Sequence, residues 1–101
     1  MKDQSKNADL HTALTHAANL LTVNPSLAQQ QAEEILKVVS DSVSAKHILA
    51  AALRLQGDAA KGLAIIGSVV DENADDANLL HEYALCLGAA GQGDASIDVL
   101  K

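Results

Sequence analysis

The chain has no tryptophan and no phenylalanine, and Tyr83 is its only aromatic residue. A β-sandwich or barrel, whose strands draw on alternating aromatic and β-branched side chains, has too little material here. There is one cysteine, Cys86, so no internal disulfide can form, as expected of a reducing compartment. Long hydrophobic runs are missing as well. The longest, Ile48–Leu53, falls far short of a bilayer span, and the polar opening MKDQSKNADL lacks the apolar centre of a signal peptide. Basic residues are scarce, seven against thirteen acidic, giving a net charge of −6 and a pI near 4.9. Without a basic cluster, a grip on nucleic-acid phosphates or on anionic lipid is not expected. These absences point to a soluble, cytoplasmic protein with no nucleic-acid or membrane partner.

What the chain does have is alanine and leucine, the leading helix formers, within a composition that is 49% hydrophobic. A length of 101 residues fits one domain, and small side chains favour helices that approach closely. The expected fold class is all-α. Met1–Asn7 reads as a polar lead-in, with Asn7 or Asp9 available to cap a first helix over Ala8–Thr22. Its apolar face would carry Leu10, Leu14, Ala17 and Leu21. Asn24-Pro25 opens a second helix, since Asn caps well and Pro suits the first helical position. Ser40-Asp41-Ser42 offers caps to a third, over Val43–Gln56, with Ile48, Leu49, Ala52, Leu53 and Leu55 as its stripe.

Gly57 should end that helix in the left-handed conformation, with Asp58 capping a fourth over Ala59–Glu72. Gly62 and Gly67 lie inside this fourth helix at a cost of about 1 kcal/mol each relative to alanine, which suggests a close backbone approach at one of them. The acidic stretch DENADD, Asp71–Asp76, reads as a solvated turn whose end, Asp75 or Asp76, caps a fifth helix over Ala77–Ala90. Gly91-Gln92-Gly93 then turns the chain into a sixth helix, opened by Asp94 and still running at Lys101. That ending, SIDVLK, leads to the expectation of a longer parent chain.

The hinges repeat. Gly57 and Gly91 are separated by the same interval as Ala50 and Ala84, and Ala28, Gly62 and Ser96 follow one another at that step. With phrases such as LRLQGDAAKGLAII and LGAAGQGDASIDVL, the chain resembles the tetratricopeptide repeat, a 34-residue helix-turn-helix unit whose length matches the interval. The resemblance covers Asp9–Lys101, as repeats 9–42, 43–76 and 77–101. It implies a right-handed superhelix of about three antiparallel helix pairs, with small residues where paired helices cross: Ala50 against Gly62, and Ala84 against Ser96. Departures are Lys46 and Leu80 in place of an aromatic, Ser40 and Ala74 in place of a closing proline, and Ile35 and Val69 in place of alanine. His16 also stands where a small residue belongs, which leaves the register of the first helix open.

The resemblance further implies a concave groove lined by the first helix of each pair. Carried over residue by residue, its lining is Ser44, His47, Ala51, Arg54 and Leu55, then Asn78, His81, Leu85, Gly88 and Ala89. Leu10, Ala13, Ala17, Leu20 and Leu21 join if the first register holds. The chosen partner-binding candidates are Ser44, His47, Arg54, Asn78, His81 and Leu85, with Arg54 suited to a partner's carboxylate or, alternatively, to the carbonyls of its own last turn. His47 and His81 occupy equivalent places, but no cysteine or carboxylate completes a metal set beside them, Glu82 being turned about 100° from His81. Cys86 reads as a small core residue with no basic neighbour to lower its pKa. Ala13 and Ala17 stand where chaperone-binding members carry Lys and Asn, which argues against that subfamily.

No Gly-x-Ser-x-Gly turn, His-Glu-x-x-His helix or phosphate-cradling loop is present, so no catalytic residue, cofactor or metal is assigned and the chain is not expected to be an enzyme. The expected function is a scaffold that binds a peptide or helix of a partner protein. The alternative is an N-terminal orienting or oligomerising domain of a larger enzyme, because QQQAEEILKVVS followed by AALRLQGDAAKGLAII is similar to tetratricopeptide segments that precede bacterial sulfotransferase-type domains. A homodimer through Val99 and Leu100 at the C-terminal end is a further expectation.

Overall fold

The computed structural model describes the backbone of residues 2–91 and the side chains of residues 9–91. The described residues form five α-helices and no strand: α1 Lys2–Val23, α2 Pro25–Val38, α3 Val43–Leu55, α4 Ala59–Val70 and α5 Ala77–Ala89. The all-α expectation holds. The expected sixth helix, with Gly93, Asp94 and Ser96, and the Val99–Leu100 end expected to dimerise fall outside the described residues.

Helix α1 is longer than the sequence suggested. The polar lead-in is helical from Lys2, so Asn7 and Asp9 lie inside the helix and neither caps it. Lys2–Ala8 contains no glycine or proline, and nothing in it stops a helix from extending toward the N-terminus. The other starts follow their caps. Asn24 Oδ1 accepts from the Leu27 N–H at 3.2 Å, Ser42 Oγ from the Ala45 N–H at 3.2 Å, and Asp76 Oδ1 from the Asn78 and Leu79 N–H groups. Asp58 holds the N-cap place of α4 but makes no side-chain cap bond; its carboxylate lies 3.6 Å from Lys61 Nζ instead.

Helix α3 ends as its glycine requires. Gly57 has φ +88°, its N–H donates to Arg54 O at 3.0 Å, and the Asp58 N–H reaches back to Leu53 O at 2.8 Å. This pair of bonds satisfies carbonyls that the helix end would leave open. Gly91 repeats the device with φ +87° and an N–H bond to Gly88 O at 3.2 Å. The spacing extends to whole elements. Helix α3 runs from 43 to 55 and α5 from 77 to 89, while α2 starts at 25 and α4 at 59, so each pair keeps the interval that separates the two glycines.

Each helix packs along its sequence neighbour; in addition α3 touches both α1 and α5, whereas α2 and α4 do not meet. The result is two layers, α1, α3 and α5 in one, α2 and α4 in the other. Helix α3 is the shared element. Ile48 to Leu53 are all buried, which a surface helix with one apolar stripe would not show. Toward α1 and α2 it joins a cluster with Ala17, Ala32 and Ile35; toward α4 and α5 it joins Ile66, Val69, Leu79 and Cys86. Ile66 and Leu79 are almost wholly removed from water, a stabilisation of about 1.5–3 kcal/mol each.

The expected crossing of Ala50 and Gly62 is present. A Cβ added at Gly62 would lie 2.7 Å from the Ala50 carbonyl oxygen, closer than real Cβ atoms approach. Gly67 is different, since a Cβ there would meet Tyr83 Cε1 at an ordinary 3.7 Å. In α1 the register departs from the repeat frame: His16 is exposed and Ala17 beside it is fully buried. Leu10, Ala13 and Leu21 pack against the first core cluster with it, so they serve the core. Leu55, expected in the α3 core stripe, is 47% exposed because the helix turns it away from both clusters.

Candidate functional site

Helices α3 and α5 lie side by side in one layer, and the side chains that join them meet at Glu82. This carboxylate is buried, the one buried charged side chain among the described residues. Arg54 approaches it with both arms of its fork, Nε to Oε2 at 2.6 Å and Nη2 to Oε1 at 3.2 Å. His47 Nε2 lies 4.0 Å from Oε1, and the Cys86 thiol donates to Oε2 at 3.4 Å. A two-point arginine–carboxylate bond is short, directional and stronger than a neutral hydrogen bond. No buried side-chain nitrogen or oxygen among the described residues is left without a partner.

This corrects the reading of Arg54. Its carboxylate is supplied by Glu82 of the same chain, and the side chain is only about a fifth exposed. It neither hangs beside the carbonyls of its own last turn nor stands free for a partner's carboxylate. The hydrogen bond to Glu82 outweighs the opposing effect of burial and holds the guanidinium above its ordinary pKa. Cys86 has a basic neighbour after all, but is not activated by it. Burial, then the thiol's hydrogen bond to Glu82 and the charge of that carboxylate, push its pKa up to about 12, against a smaller opposing pull from Arg54. At neutral pH it is a protonated thiol, a poor nucleophile.

The remaining candidates divide by exposure. Ser44, Asn78 and His81 are largely open to solvent, and Leu85 is 37% exposed. His47 is half-buried beside Glu82, whereas its equivalent, His81, is exposed. Ala51 is buried. What remains open on the α3–α5 face is a polar set, Ser44, Asn78 and His81, together with the apolar Leu85 and Leu55.

The sequence contained a signal for Glu82 that spacing within α5 alone does not reveal. In the repeat frame Glu82 occupies the place of Ile48, a buried core residue of α3. A carboxylate at a core place needs a partner from a neighbouring helix. Compared with protein-family models, with curated proteins and with solved structures, the chain matches none.

Proposed function

We propose that this chain is an interaction module built as a tetratricopeptide-like stack, and that the α3–α5 face receives a peptide or helix of a partner protein. The observation that carries the reading is the equivalence of α3 and α5. They have the same length, start after side-chain caps and end at left-handed glycines one repeat apart. Stacked units of this kind present a continuous surface built from equivalent helices. On that surface Leu85 and Leu55 provide apolar contact, and Ser44, Asn78 and His81 provide hydrogen bonds. Arg54 and Glu82 hold the two helices together beneath it, a positioning role.

The reading assigns no catalysis. The one thiol is buried and protonated, and the buried carboxylate is already bound to an arginine. A random peptide library displayed on phage and selected on the protein supplies ligands for the test. Alanine at Leu85, His81, Asn78 or Ser44 should weaken a selected peptide about 5- to 30-fold at the strongest positions, the range of a contact worth about 1–2 kcal/mol. If all four variants bind like the parent, the α3–α5 face is not the binding surface.

A further inference from the structure

The opposite layer contains a cleft that the proposed function does not use. Because α2 and α4 do not meet, an open trough of about 340 Å³ runs between them, within the size range of small-ligand sites. Leu49 and Leu53 of α3 form its floor with Ile65 of α4, and these are aliphatic surfaces. Two carboxylates stand on its walls. Glu33 comes from α2, and Asp58 stands at the start of α4 with a carboxylate that does not cap the helix.

The amides at one end add to this bias. Gln56 Nε2 already donates to Gln29 Oε1 at 2.8 Å, Ala52 O at 3.0 Å and Pro25 O at 3.4 Å, so what Gln56 offers an incoming group is its side-chain carbonyl. Gln29 in turn donates to Glu33 Oε2 at 3.2 Å. The one cationic group lining the cleft, Lys61, lies 3.6 Å from Asp58 and leaves Glu33 without a counter-charge there. The lining therefore couples an aliphatic floor to an excess of acceptors and negative charge, in a chain whose net charge is −6.

We propose that this cleft binds a lysine or arginine side chain of a partner peptide, a second contact on the layer opposite the α3–α5 face. Lysine and arginine are the side chains that fit both halves of the lining. Each has an aliphatic stem that lies along apolar surface and a head that only donates hydrogen bonds. The cleft is partly open to solvent, so a side chain can enter it from a peptide lying outside. Glu33 receives the head, with Asp58 shared between it and Lys61, and Leu49, Leu53 and Ile65 receive the stem.

The test uses acetylated, amidated peptides Ala-Ala-Xaa-Ala-Ala with lysine, arginine, norleucine or glutamate at the centre, titrated against the isotope-labelled full chain by NMR. The lysine and arginine peptides should shift the methyl signals of Leu49, Leu53 and Ile65 with millimolar affinity, the scale of a single side-chain contact. Norleucine should bind more weakly by about fivefold or more, and so should the lysine peptide against a Glu33→Gln, Asp58→Asn double variant, because each removes an exposed charge pair. Equal binding of norleucine or glutamate, or no shift of these methyls at about 10 mM lysine peptide, overturns the proposal. Spermidine is the competing occupant: if it shifts the same methyls more tightly than the lysine peptide, the cleft takes a free amine and the peptide assignment fails. The norleucine comparison is made on the parent protein and decides the matter even if the double variant does not fold.

Discussion

A single buried carboxylate sets the chemistry of the α3–α5 junction. Glu82 holds Arg54 in a two-point bond, takes the Cys86 thiol as a donor and lies near His47. Cys86 should accordingly be inert: at pH 8 iodoacetamide should label the native protein far more slowly than the urea-unfolded chain, where the thiol regains its ordinary pKa. The same shift has a stability consequence. The folded thiol keeps its proton up to about pH 12 while the unfolded one releases it near 9.0, so its contribution is full below pH 9 and is lost as pH climbs toward 12. Urea midpoints measured between pH 8 and pH 10.5 should fall less steeply in a Cys86→Ala variant than in the parent. The sequence showed Cys86 as a core residue correctly, but missed its basic neighbour and the burial of Glu82. Both depend on Arg54, which belongs to another helix and stands far back in the chain, so the helical angles within α5 alone could not reveal them.

Helix boundaries were the most legible part of the chain, and the reason is local. Asn24-Pro25, Ser42, Asp76, Gly57 and Gly91 each act through bonds to residues within one turn or so, and their effect is written in a few neighbouring positions. Two expectations slipped, one of them to a competing contact that is just as local. Asp58 faces Lys61 instead of capping, and Leu55 turns outward despite its place in an apolar stripe. The two interior glycines of α4 were indistinguishable in the sequence; the structure separates them. Gly62→Ala should cost about 1–3 kcal/mol by forcing α4 off the Ala50 carbonyl, more than the helix-propensity gain of about 1 kcal/mol returns. Gly67→Ala meets only Tyr83 at an ordinary distance and should stabilise by about 0.5–1 kcal/mol. Chemical denaturation of the two variants gives opposite shifts in midpoint, and two shifts of the same sign would refute the crossing geometry.

At the scale of the molecule, five helices lie in two layers with α3 shared between two core clusters. The repeat step was legible from the glycines and alanines. The departure of α1 from it was legible only as a misplaced His16, which is exposed beside the fully buried Ala17. The open α3–α5 surface keeps its shape only while α3 and α5 stay joined, and the Arg54–Glu82 bond is a polar link between them. A double-mutant cycle of Arg54→Ala and Glu82→Ala, read by denaturant unfolding, tests that link directly. Arg54→Ala alone should cost about 2–4 kcal/mol, since it leaves a buried carboxylate without its guanidinium, somewhat under the loss for a fully buried pair. The double variant should be more stable than the sum of the single losses predicts, by about 1.5 kcal/mol or more. Losses that add to within about 0.5 kcal/mol would mean that α3 and α5 do not meet through these residues, and the account of the stacked layer would fail.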